Sequence, residues 1–236
     1  MMDRIDVHCH LLPAVDDGCP NLQVSIECAK MLVGAGYSHC FCTPHAWPNL
    51  PNQTRSNVAQ LTVDLQQALS EAGISLTLLP GSELNLNPKV METPEERIIS
   101  MGLAGKFILV DMWANKLPEW FVPTIQWLQQ MKLTVILAHP ERMRAIQDDP
   151  TLAEQLSEMG ILLQGNLQCF ADHPDSYTRM TAEKYLTEKR YFVLGSDTHS
   201  VDGLKHRLTG LRNATQLVGE AEINRLTRDN PRQLLP

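Results

Sequence analysis

Residues 107–112 read FILVDM and residues 133–141 read LTVILAHPE. Each is a continuous apolar run that ends on an ionisable side chain, Asp111 in the first and His139 in the second. A short run without polar alternation suits a strand buried on both faces, as in a parallel sheet covered by helices. The same design recurs outward in both directions. Residues 4–10 (RIDVHCH), 38–45 (SHCFCTPH), 75–84 (SLTLLPGSEL), 161–166 (ILLQGN) and 191–197 (YFVLGSD) are further strand candidates. Helical patterns lie between them, at 24–36, 55–73, 118–131, 151–160 and 176–190, and several stop at a glycine (Gly36, Gly73, Gly160). Alternation of this kind predicts parallel strands with right-handed crossovers. About seven such units favour a closed α/β barrel over an open sheet. The 236 residues, 43% hydrophobic and 20% charged, suit one domain spanning 1–236.

Composition narrows the function. With 20 Lys+Arg against 27 Asp+Glu the net charge is −7, which argues against a general nucleic-acid binder. No apolar run reaches the ~18 residues needed to span a bilayer. The opening MMDRIDVHCHLLP lacks the apolar core of a signal peptide. The expectation is a soluble, cytoplasmic protein without membrane insertion, its six cysteines reduced. Cys40 and Cys42 are read as buried structural thiols, and residues 46–53 (AWPNLPNQ) as an active-site loop.

The ionisable residues are unevenly placed. His8 and His10 close the first strand candidate, and an i, i+2 pair shares one side of a strand. Asp17 follows in DDG, His45 ends the second candidate, Glu83 the third, Asp111 the fourth and His139 the fifth. Asp197 and His199 end the last, again at i, i+2. A single histidine on a buried strand is more often a core residue than a ligand, but bland reasons at six strand ends are hard to accept together. The carboxyl ends of parallel strands are where active sites assemble. Burying so many imidazoles and acids without cations is prohibitive. Five imidazoles with four carboxylates suit Mn²⁺, Fe²⁺ or Zn²⁺, and nine donors residues exceed one ion's needs, so two or three ions are expected. Glu83 is then a candidate bridge. Clustered divalent ions perform phosphatase and nuclease chemistry. His39, His173 and His206 fall outside the set. No Cys is followed six positions later by Arg, and GxxxxGK[ST], GxGxxG and GxSxG are absent.

The ordered set HxH (8–10), DDG (16–18), TPH (43–45), GSE (81–83), Asp111, HPER (139–142) and SDTH (196–199) resembles the PHP (polymerase and histidinol phosphatase) superfamily. Within it, the opening IDVHCHLLPAVDDG, the short length and HPER resemble the bacterial manganese-dependent protein-tyrosine phosphatases of capsule and exopolysaccharide loci. The resemblance implies a distorted, TIM-like (β/α)7 barrel, the PHP fold, carrying metals at its C-terminal rim. It implies one ion on His8, His10, Glu83 and Asp197, a second on Glu83, Asp111 and His139, and a third on Asp17, His45 and His199. The family usually has Glu where this chain has Asp111, one methylene shorter. Arg142 matches the family's phosphate-gripping arginine; the bland alternative is a surface ion pair with Glu141. A second phosphate contact, Lys205 or Arg207, does not match the family's register cleanly. The implied catalytic residues are Arg142, Asp17 and His199, with Arg142, Arg207 and Trp47 on the substrate side and Trp113 a second wall for a phenyl ring. The implied reaction is hydrolysis of phosphotyrosine by a metal-activated hydroxide. Manganese is the expected metal and the tail of a bacterial tyrosine kinase the expected protein substrate. The alternatives are a small phosphomonoester such as histidinol phosphate, a metal-dependent amidohydrolase and a non-catalytic relic of the fold.

Overall fold

The computed structural model describes residues 3–149 and 151–236. In chain order these residues form β1 (Arg4–Cys9), α1 (Leu22–Gly34), β2 (Tyr37–Cys42), β3 (His45–Ala46), α2 (Arg55–Glu71), β4 (Thr77–Pro80) and β5 (Glu83–Asn85). There follow β6 (Phe107–Asp111), α3 (Phe121–Gln130), β7 (Thr134–Ala138), α4 (Arg144–Asp148), α5 (Leu152–Glu158) and β8 (Leu162–Asn166). The last elements are α6 (Tyr177–Thr187), β9 (Val193–Gly195) and α7 (Val201–Asn224). Every strand pairing is parallel, in the orders β1-β2-β4 and β3-β5-β6-β7-β8-β9.

The two sheets are halves of one curved wall, because β2 continues into β3 across Thr43 and Pro44, and β4 into β5 across Gly81 and Ser82. The expected single strand at 38–45 is therefore broken, and His45 opens β3 instead of ending β2. Proline has no N–H to give a ladder. Its carbonyl instead accepts from the Glu83 amide at 3.1 Å, carrying the wall past the break. Counting each broken strand once leaves seven strand positions. The ring is completed where the Asp197 amide donates to the His8 carbonyl (2.6 Å) and the His10 amide to the Thr198 carbonyl (3.0 Å).

Side-chain alternation explains where the rim chemistry comes from. Ile108, Val110, Val135, Leu137, Leu163 and Leu194 belong to the core shared with the helices. Ile5, Val7, Phe41, Leu109, Ile136 and Val193 form a separate inner cluster. One strand period beyond Leu109 is Asp111, so the same face that fills the barrel carries the ionisable group at its end. On β1 simple alternation would set His8 opposite Val7. A register shift between Asp6 and Cys9 re-aims the strand, so that Val7 packs inside and His8 and His10 still reach the centre.

Two regions depart from the expected pattern. Between β5 and β6 the chain makes three 3-10 turns (Val90–Glu92, Glu95–Arg97, Met101–Leu103) in place of a crossover α-helix. After β9 comes the longest helix, α7, whose pattern is masked in sequence by Gly203, Gly210 and Gly219. The first is explained by the cap: Ser200 accepts the Gly203 amide at 3.1 Å. Gly219, at φ 82° and ψ 163°, kinks the helix. Gly210 lets the helix approach the 3-10 turn Leu167–Ala171, since a Cβ there would lie 1.7 Å from the Leu167 carbonyl oxygen. Among the described residues no helix is long and apolar enough to cross a membrane. Gly210→Ala is expected to destabilise the fold by about 3 kcal/mol, as overpacking against backbone, read as a lower urea midpoint with an unchanged m-value; an unshifted midpoint would remove this contact from the account.

Candidate metal centre

All nine strand-end residues meet at one end of the barrel, in four overlapping groups whose potential ligand atoms lie within 4.8 Å of one another. These are His10–Asp17–His45–His199, His8–His10–Asp197, His8–Glu83–His139 and His45–Glu83–Asp111. Glu83 sits at the junction. Its Oε1 is 2.9 Å from His139 Nε2, and its Oε2 lies 2.9, 3.2 and 3.4 Å from His45 Nδ1, His8 Nε2 and His10 Nε2. Asp197 Oδ1 is 3.5 Å from His8 Nε2 and 3.4 Å from His10 Nε2. Asp17 Oδ1 approaches His45 Nε2 (3.3 Å) and His199 Nε2 (3.4 Å). Asp17 is the exposed member, its side chain 56% accessible, whereas Glu83 is fully buried. In this geometry Asp111 groups with His45 and Glu83, not with His139.

The hydrogen bonds behind the ring fix the tautomers. His8 Nδ1 donates to Gln164 Oε1 at 2.8 Å, with the Gln164 amide nitrogen committed to the Gly165 carbonyl (2.7 Å). His10 Nδ1 donates to Asp16 Oδ2 at 2.7 Å. With both protons on Nδ1, both Nε2 atoms turn lone pairs inward, 3.1 Å apart and facing two carboxylates. Asp111 Oδ2 is buried without a hydrogen-bond partner among the described residues, and the 2.9 Å approach of Glu83 Oε2 to His45 Nδ1 lacks hydrogen-bond geometry. Converging imidazoles and carboxylates, with His8 and His10 each backed by an acceptor, fit divalent cations.

The carboxyl groups of the cluster are strongly perturbed. Burial pushes the Asp111 carboxyl well above the usual range, and the neighbouring Glu83 charge pushes it further. Burial also opposes ionisation of Glu83, but the surrounding imidazoles of His8, His10, His139 and His45 outweigh it and hold Glu83 well below its ordinary value. Asp16 is likewise opposed by burial, yet its bonds to His10 and to the His45 and Gly18 amides bring it down to about 2. Gly18 is required by close approach: a Cβ would lie 2.4 Å from the His10 carbonyl oxygen. His139 (φ 35°) and Asp197 (φ 54°) hold left-handed backbone, a conformation costing about 1–3 kcal/mol per non-glycine residue that concentrates at functional sites.

The basic residues near the rim have identifiable partners. Arg142 does not pair with Glu141. Its Nη1 donates to Asp197 Oδ2 (3.1 Å) and its Nη2 to Gln168 Oε1 (3.2 Å). Glu141 is fully buried and accepts from the Asn166 amide (2.7 Å) and the Tyr191 hydroxyl (3.0 Å), so it is a packing hub. Arg207 is buried; its Nε donates to the Ser196 carbonyl (2.6 Å) and its Nη2 lies 3.9 Å from Asp197. Lys205 is exposed and pairs with Asp202 (2.8 Å). Trp47 stacks on His45 with ring centroids 4.0 Å apart, and Trp113, 65% exposed, lies 6.0 Å from His139. All six cysteines are buried and free. His39 bonds Ser38 (2.9 Å), and His173 and His206 are exposed, away from the centre.

Three residues that orient the ring lie outside the set expected from sequence: Asp16, Gln164 and Asn166, whose side-chain Nδ2 donates to Asp197 Oδ2 at 2.6 Å. A signal existed. Gln164 and Asn166 end β8 at the same i, i+2 spacing as His8 and His10, on an otherwise apolar strand. Replacing Glu141 by alanine strands the Asn166 backbone amide and the Tyr191 hydroxyl, and is expected to cost about 2–4 kcal/mol in urea unfolding; a loss within about 0.5 kcal/mol would show that these two bonds do not stabilise the fold.

The comparisons agree with this geometry. The chain is 31% identical over 197 residues to the tyrosine-protein phosphatase YwqE of Bacillus subtilis, covering 84% of this chain and 78% of that protein. Its fold superposes with a TM-score of 0.87, at 26% identity and over 98% of this chain and 94% of the other, on a structure from work describing YwqE of Bacillus subtilis and CpsB of Streptococcus pneumoniae as unique metal-dependent tyrosine phosphatases. The lactonase Lmo2620 of Listeria monocytogenes shares the fold alone, at 12% identity and a TM-score of 0.57 over 100% of this chain and 95% of that one. A family model described as capsular polysaccharide synthesis, CpsB/CapC, matches residues 4–236. With these residues, this barrel and this ring of donors, the chain belongs to the CpsB/CapC family of capsular polysaccharide synthesis.

Proposed function

We propose that this chain is a metal-dependent protein-tyrosine phosphatase, a single domain over 1–236 that acts in the cytoplasm on the tail of a tyrosine kinase of capsule or exopolysaccharide synthesis. The observation that carries the reading is the convergence of ring nitrogens from four histidines on the buried carboxylate of Glu83, at 2.9–3.4 Å. The relatives named as tyrosine phosphatases support the substrate class. Two or three divalent ions, manganese foremost with iron or zinc as alternatives, would be held by His8, His10, Asp17, His45, Glu83, Asp111, His139, Asp197 and His199. Bound there, they supply Lewis acidity, which lowers the pKa of water and neutralises phosphoryl oxygens.

The remaining work falls to the chain's own groups. Arg142 is tethered by Gln168 and Asp197, so its guanidinium is pre-oriented at the rim to take the phosphoryl oxygens as charge builds on them. Asp17, exposed at the mouth, takes the proton of the attacking water with His199 beside it. Arg207 acts from behind, holding the Ser196 carbonyl and thereby the turn that presents Asp197. Trp47, stacked on His45, offers a flat wall to the substrate ring. The tyrosine leaving group has a pKa near ~10, so the departing phenolate makes little demand for a strong general acid.

Chelated protein reloaded with Mn²⁺ is expected to hydrolyse a phosphotyrosine peptide far faster than phosphoserine peptide or histidinol phosphate. A clear preference for histidinol phosphate would move the enzyme to the small-ester reading. Asp16→Asn weakens the acceptor that orients His10, and Mn²⁺ affinity measured by titration calorimetry is expected to fall about 10–100-fold; an unchanged affinity would remove Asp16 from the site's support.

A further inference from the structure

A groove of about 210 Å³ opens beside the metal rim, with Pro48 and Pro94 in its walls and Asn85, Lys89 and Arg97 as polar lining. It is tied to the centre at three points. Ala46, which lines it, follows His45. Asn85 Nδ2 donates to Asp111 Oδ1 at 3.1 Å. Arg97 Nη2 donates to the carbonyls of Trp47 (2.6 Å) and Leu50 (3.1 Å), and Trp47 in turn stacks on His45. Whatever bound the groove would therefore adjoin a group held at the metals.

Its chemistry is cationic and unsatisfied. The two carbonyl bonds hold the Arg97 fork in place, while its Nε is a buried donor without a partner among the described residues. Lys89 has no ion-pair partner among the described residues, and its backbone is pinned by Asn87, whose Oδ1 accepts the Lys89 amide at 2.9 Å. Glu92 also lines the groove, leaving two cations against one acid on a protein whose net charge is −7. A guanidinium anchored through Nη2 and an ammonium without an ion-pair partner suit a carboxylate. The volume is below the ~300–1,000 Å³ of small-molecule sites, so it fits one or two side chains of an extended polypeptide and not a whole metabolite.

We propose that this groove seats an acidic side chain flanking the phosphotyrosine, making it the peptide-specificity subsite of the enzyme. The inference rests on the phosphotyrosine reading of the adjoining centre. Its test compares two phosphotyrosine peptides, identical except for Glu or Lys at the positions flanking the phosphotyrosine, on Mn²⁺-loaded protein. The wild type is expected to favour the Glu peptide by about fivefold in kcat/KM, the difference residing in KM and not in kcat. Lys89→Glu is expected to abolish or reverse that ratio, and Lys89→Ala to give an intermediate one. Equal rates for the two peptides in the wild type, or an unchanged ratio in Lys89→Glu, would overturn the groove assignment alone. Hydrolysis of histidinol phosphate with neither peptide cleaved would overturn the phosphotyrosine reading, and this inference with it.

Discussion

Closure of the barrel between β1 and the turn after β9 is the constraint on which the remaining architecture depends. Asp6 is fully buried, and its carboxylate receives the Ser196 amide at 2.9 Å and the Ser196 hydroxyl at 2.5 Å. Burial pushes the Asp6 pKa up, and the Ser196 donors work against that shift. The same seam carries the bonds from the Asp197 amide to His8 and from the His10 amide to Thr198. Residues 8–10 and 197–199, almost two hundred positions apart, are thereby forced onto one edge. Without that seam the two paired-ligand motifs would lie on opposite margins of an open sheet.

Around this seam the fold gives three of the converging side chains a backing group. Gln164 orients His8, Asp16 orients His10, and Asn166 and Arg142 share Asp197 Oδ2. Glu141 locks the strand that carries Gln164 and Asn166 by holding the Asn166 amide and the Tyr191 hydroxyl. The left-handed backbone of Asp197 is held from both its side chain and its amide, which bonds the His8 carbonyl. Rigidity of this kind suits a centre whose reaction depends on fixed charges more than on moving parts.

The acid excess also takes on a different meaning. Four of the carboxylates behind the −7 charge are gathered at the rim, where divalent ions would offset most of the total. An anionic phosphoester therefore need not meet a repulsive surface, and the Lys89–Arg97 groove adds a local positive field beside the centre.

Seven apolar runs, their order and the ionisable residue at the end of most of them were legible directly, because strand burial and the period of two are local properties of sequence. The break at Pro44 and the bulge on β1 were not, since both are settled by which neighbour supplies hydrogen bonds. Helix α7 was hidden by three glycines whose roles (a cap, a close approach and a kink) exist only against their partners. The nine residues that converge at the rim could be named from the chain alone, whereas their grouping, the hydrogen bonds of Asp16, Gln164 and Asn166, and the partner of Arg142 required the fold. The sequence by itself determined which chemical groups stand at the strand ends. The tertiary structure decided which atoms face one another, because lone-pair direction depends on hydrogen bonds from residues distant in the chain.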